Sequence, residues 1–129
     1  MKINLETIPH DQQRYPTVGD YWEEADSVQV RVSGLKDWRY EILVSVHELV
    51  EWALTKQRGI SEADITEFDI AFESSREQRL VIGEPGDSPQ APYRKEHFFA
   101  TNLERLFAAE LGVDWHEYEH YVDELGVKR

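Results

Sequence analysis

Two hydrophobic periods divide the chain. Lys2-Ile3-Asn4-Leu5-Glu6-Thr7-Ile8 alternates polar and apolar residues, the period of a half-buried strand. Val28-Gln29-Val30-Arg31-Val32 alternates more strictly and is ended by Ser33-Gly34. Between them Pro9 and Pro16 punctuate a loop, and Tyr21-Trp22 reads as a short strand. From Asp37 onward the period becomes helical. Asp37 caps a long helix closed by Gly59, and Ser61 with Asp64 opens a second. Leu80-Val81-Ile82 reads as a brief strand, and residues 83–92 (GEPGDSPQAP) form a loop by composition. A third helix stops at Gly112, and Asp114 caps a short last one. The expected fold is α+β. A small N-terminal sheet of two to three strands (about 2–8 and 28–33) precedes three to four helices (about 38–58, 62–79, 93–111 and 115–125) in one domain, 1–129.

A length of 129 residues suits one domain with a sizeable core. Lys and Arg number 14 against 26 Asp and Glu, a net charge of −12, with the acidic excess concentrated in the later helices. That balance argues against a grip on nucleic acid through phosphate contacts and against attraction to an anionic membrane. The absence of cysteine removes disulfides, thiol catalysis and cysteine-type zinc sites. The start, MKINLE, lacks the apolar run of a signal peptide, so a cytoplasmic protein is expected.

The informative residues are ionisable groups inside apolar helical stripes. Tyr40, Leu43, Val44, His47, Val50, Glu51 and Leu54 share one face of the first long helix. His47 and Glu51 lie one turn apart in it, and Glu48 sits at its edge. An unpaired buried carboxylate costs several kcal/mol or more, so Glu51 requires a cation: a metal, an arginine or an imidazolium. The third helix repeats the pattern with His97 and Glu104, and the second carries Asp69 beside Ile65, Phe68 and Phe72. Packed on one core, these groups form a cluster suited to a divalent metal, zinc first. The alternative is that hydrogen bonds, with Arg39, Arg94 or Arg105, hold each of them as a structural group. Arg94, beside the acidic loop, is also placed to reach an anionic substrate. Trp22, Trp38 and Trp52 are expected in the core, and His10-Asp11 on the surface.

His47-Glu48-Leu49-Val50-Glu51 reads H-E-x-x-E and resembles the H-E-x-x-H zinc helix of zincin metallopeptidases. Residues four apart can chelate one ion from one helix face, and the intervening Glu can serve as general base. The resemblance covers about residues 28–58 and includes the preceding strand, which in zincins is an edge strand over the cleft. It implies His47 and Glu51 as ligands, Glu48 as base and a minimal zincin-like arrangement, with His97 the candidate third ligand. Glu in place of the second His favours a harder ion somewhat more. The literal motif, His116-Glu117-Tyr118-Glu119-His120, is a decoy: its helix is short, and Glu119 puts a charge where zincin helices are buried.

A wider resemblance rests on Tyr15-Pro16-Thr17, Gly19-Asp20-Tyr21-Trp22, Asp37-Trp38-Arg39-Tyr40, the HELVE helix, Phe68-Asp69, Pro92-Tyr93-Arg94, Glu96-His97 and Ala100-Thr101. These resemble a family of small uncharacterised proteins encoded by phages, prophages and bacteria. It implies context without mechanism. Three functions stay open. One is a metal-dependent, peptidase-like hydrolase. Another is a non-catalytic acidic accessory protein that binds a host protein. The third is a dinuclear site drawing on Glu48, Glu51, Asp69, His97 and Glu104.

Overall fold

A computed structural model describes residues 1–128. Three strands, β1 (Lys2–Ile8), β2 (Gly19–Glu24) and β3 (Ser27–Ser33), form one sheet in the order β1-β3-β2. β1 runs parallel to β3, and β2 antiparallel to it. Four helices follow: α1 (Trp38–Gln57), α2 (Glu62–Glu77), α3 (Arg94–Glu110) and α4 (Trp115–Gly126). The fold is α+β. No helix among the described residues is long and apolar enough to cross a membrane.

Local chemistry sets the helix starts. Asp37 accepts a hydrogen bond from the Arg39 amide, Ser61 from that of Asp64, and Asp114 from that of Glu117. Each satisfies an amide that the first helical turn leaves without a partner. α3 begins without such a side-chain cap; its first residues are tied to the loop before it by the Arg94 and His97 amides.

The core joins the sheet to three helices. Val28, Val30 and Val32 of β3 pack on Tyr40, Leu43 and Val44 of α1, with Ala108, Val113 and Tyr118 completing the cluster. α1 and α3 lie side by side in opposite directions. Arg39 reaches the Leu111 carbonyl at one end, and Arg58 pairs with Glu96 at 2.6 Å at the other. This antiparallel pairing brings the ionisable residues of the two helices to one level.

Several expectations change. β3 is the central strand, so it is not the edge strand that the zincin resemblance implies; β2 forms the edge beside Glu48. The polar face of β3 is also covered: Gln29 and Ser33 are buried, and His10 and Gln13 bond to the Ser33 hydroxyl. Thus His10 is a structural, half-buried group rather than a surface one. Leu80, Val81 and Ile82 form no strand, and Ile82 is almost fully exposed. Trp38 is 65% exposed because it opens α1 on the side away from the sheet cluster. Trp52 packs against the core, while Trp22 lies half-buried beneath the Arg14 guanidinium, 4.2 Å from the ring centre.

Candidate metal centre

α1 supplies His47 and Glu51, one turn apart on its buried face. α3 supplies His97 from its first turns. Their atoms converge: His47 Nε2 lies 3.1 Å from Glu51 Oε2, His97 Nδ1 lies 3.0 Å from the same oxygen, and the two nitrogens are 3.2 Å apart. This His-Glu-His group could hold a metal ion. The spacing fits. Ligand atoms bound tetrahedrally at about 2.0–2.1 Å from an ion stand about 3.3 Å from one another.

The other nitrogen of each imidazole is taken by a carboxylate. Glu104 Oε1 lies 2.8 Å from His47 Nδ1, and Asp87 Oδ1 lies 3.2 Å from His97 Nε2. If each ring donates to its carboxylate, the nitrogen facing Glu51 carries a lone pair. Such carboxylate–histidine pairs orient metal ligands and raise their basicity. Glu104 is held in turn by the Tyr118 hydroxyl, and Tyr21 donates to the second oxygen of Glu51 at 3.2 Å. Each of the three members is therefore anchored by a neighbour, with Tyr118 standing behind Glu104.

The electrostatics demand a cation. Burial lowers the pKa of His47, but bonds and charge from Glu104 and Glu51 outweigh it and hold the imidazole well above its ordinary range. Burial lowers His97 as well; Asp87 and Glu51 nevertheless bring it up to about 9. Burial pushes Glu51 up, while the two histidines pull it down to about 2. Without a metal, protons on the imidazoles supply the positive charge that the surrounding carboxylates require. A divalent ion can replace those protons.

Glu48 stands apart from these pairs. Among the described residues it makes no hydrogen bond or ion pair; it lines both cavities that border the triad, and it is raised well above the usual carboxylate range by burial and by Glu51. Its carboxyl packs directly on Gly19 of β2, where a Cβ atom would collide with it. Gly86 makes a corresponding close approach to the His97 ring. Glycine at these two positions lets a strand and a loop close on the site.

The remaining predicted residues lie around the triad. Glu104 is a support for His47 rather than a member of the converging group. Asp69 is buried nearby, but both its oxygens accept from tyrosines, Tyr93 at 2.5 Å and Tyr15 at 3.3 Å. Burial raises its pKa to about 7. With Glu104 and Asp69 engaged in this way, the five residues of the dinuclear reading are not brought to one point. Arg94 is exposed, stacks over Phe98 at 4.8 Å and lines neither cavity. The helix turns it outward, so it does not enter either cavity, and its charge reaches the site through Asp87. His116 and His120 are exposed on α4, and His120 pairs with Glu124.

Sequence reasoning did not single out Asp87, Tyr118, Tyr21, Gly19 or Gly86. Tyr118 was hidden inside the decoy motif, although its spacing with Tyr121, Val122 and Leu125 marks an apolar face. Asp87 lies in a loop whose acidity carries no positional signal. In comparisons with family models, curated proteins and solved structures, no match to the chain was found.

Proposed function

We propose that this chain is a metal-dependent hydrolase whose single divalent ion, zinc first, is held by His47, Glu51 and His97. The observation that carries this reading is the triangle of three ligand atoms, 3.0–3.2 Å on a side, backed by carboxylates on both imidazoles. Two histidines and one carboxylate are a catalytic type of zinc set, leaving a position for water or substrate. The resemblance of the HELVE helix to zincin helices supports the same assignment.

An ion held there supplies a Lewis acid and lowers the pKa of water toward about 7. Glu48 takes and returns the proton. Among the described residues its carboxyl has no bonding partner, and it borders both cavities beside the triad. For an amide, water oxygen bonds to the carbonyl carbon and its proton passes to Glu48. The carbon–nitrogen bond then breaks, and Glu48 returns the proton to the departing nitrogen. Glu104 and Asp87 keep the two imidazoles oriented throughout.

The test is a panel of chromogenic amides and esters with zinc-loaded protein. Glu48→Gln is expected to keep its metal and lose about 100-fold or more in rate. Full activity in Glu48→Gln contradicts the assigned base.

A further inference from the structure

The larger cavity beside the triad has a volume of about 230 Å³. His47 and His97 line it, while Glu51 lines the smaller neighbouring cavity that the two histidines also border. Val18, Val44, Trp115 and Val122 give it an apolar wall. Its other charged lining residues are acids, among them Glu84 and Asp87 of the loop and Glu119 and Asp123 of α4, and no lysine or arginine among the described residues lines it. Cationic groups act on these acids from outside it: Arg76 on Glu84, Arg94 on Asp87 and His120 on Asp123.

Charge decides which occupant fits. A divalent ion on the triad brings two positive charges. Glu51, Glu104, Asp87 and Glu48 alone offset them with up to four negative ones. Glu119 and Asp123 are exposed at the rim, and Glu84 faces Asp123 across it. Burial above all, with a smaller push from the Asp123 carboxylate, raises Glu84 to about 7 against the pull of Arg76, and the two acids are close enough to share a hydrogen bond. An anionic group entering this cleft meets the carboxylates of the loop and of α4 opposite its apolar wall. A cationic group separates the crowded acids and keeps an apolar wall for its carbon chain.

Resting on the metal-site reading above, we infer that the cleft takes a small substrate bearing a primary ammonium group. Its positive end is received by Glu84, Asp123 and Glu119, its carbon chain lies against Val18, Val44 and Trp115, and its hydrolysable bond reaches the triad. His47 and His97 place the reacting end, and the exposed Glu119 and Asp123 place the charged end toward solvent. Phosphate esters and carboxylate-tailed amides are thereby disfavoured.

Calorimetric titration of zinc-loaded protein tests this with three hydroxamates of equal chain length: aminoalkyl, uncharged alkyl and carboxyalkyl. The hydroxamate end chelates the metal, and the tail samples the cleft. The aminoalkyl compound is expected to bind about tenfold more tightly than the uncharged one, and the carboxyalkyl compound more weakly than either. Asp123→Asn is expected to reduce the preference for the amine several-fold while changing the binding of the uncharged hydroxamate far less. Equal binding of all three, or tightest binding of the carboxyalkyl compound, overturns the ammonium assignment and leaves the metal site standing. Failure of all three to bind overturns the metal-site reading and this inference with it.

Discussion

His47 Nε2 and His97 Nδ1 face each other across 3.2 Å, with the same Glu51 oxygen within 3.1 Å of both. With one proton between them the two imidazole nitrogens hydrogen-bond; if both present lone pairs, or both present protons, they repel. A cation between them removes the conflict. Glu104 and Asp87 favour the lone-pair arrangement because each accepts from the far side of a ring. The predictions follow from this relationship and from the groups that maintain it.

Zinc is expected to stabilise the folded chain. Binding to the native state alone adds about 4 kcal/mol at a free metal concentration 1,000 times Kd. Thermal unfolding with zinc and then with chelator measures the effect. His97→Ala is expected to abolish the zinc-dependent rise in Tm, whereas an equal rise in that variant removes His97 from the site.

Glu104→Gln is expected to weaken zinc binding by about 10–100-fold, because the amide cannot bias His47 toward the same tautomer as strongly. Tyr118→Phe leaves one Glu104 oxygen without its buried donor and is expected to cost about 1–3 kcal/mol of stability. Competition with a chromophoric chelator and denaturant unfolding separate the two effects. Unchanged metal affinity in Glu104→Gln contradicts the orienting role.

Gly19→Ala and Gly86→Ala distinguish the base from the ligands. A methyl group at residue 19 meets Glu48, and one at residue 86 meets the His97 ring. Gly19→Ala is therefore expected to retain metal and lose hydrolysis, while Gly86→Ala is expected to weaken metal binding. Metal titration beside the amide assay checks both, and the reverse pattern contradicts the placement of Glu48.

Asp69 gives a pH signature away from the triad. Its folded pKa of about 7 lies above its ordinary value of 3.8. The stabilisation linked to its proton is fully present below 3.8 and is lost as pH rises through about 7. Relative to Asp69→Asn, the wild type is expected to lose up to roughly 4 kcal/mol across that window. Unfolding series at several pH values test the sign, and parallel profiles contradict it.

The metal-ligand candidates were legible because helical spacing is local. His47 and Glu51 share a stripe by sequence alone, and His97 and Glu104 share another. What brings the stripes together is the antiparallel crossing of α1 and α3, fixed by Arg58–Glu96 and Arg39–Leu111 contacts more than 35 residues apart in sequence. The strand alternation likewise revealed β1 and β3, yet it did not reveal that β3 is central, because sheet order depends on pairing between distant segments. Arg94 misled because its position beside the acidic loop says nothing about which way the helix turns its side chain. Trp38 misled because a large apolar residue at a helix start can remain outside the core.

Elemental mass spectrometry of untagged protein, purified without chelator and reconstituted with zinc, tests the central claim most directly. His47→Ala/Glu51→Ala and His116→Ala/His120→Ala are the companion variants. The account predicts about one equivalent of zinc per chain in the wild type and the second variant, and none in the first. No zinc in the wild type, or undiminished zinc in His47→Ala/Glu51→Ala, contradicts it.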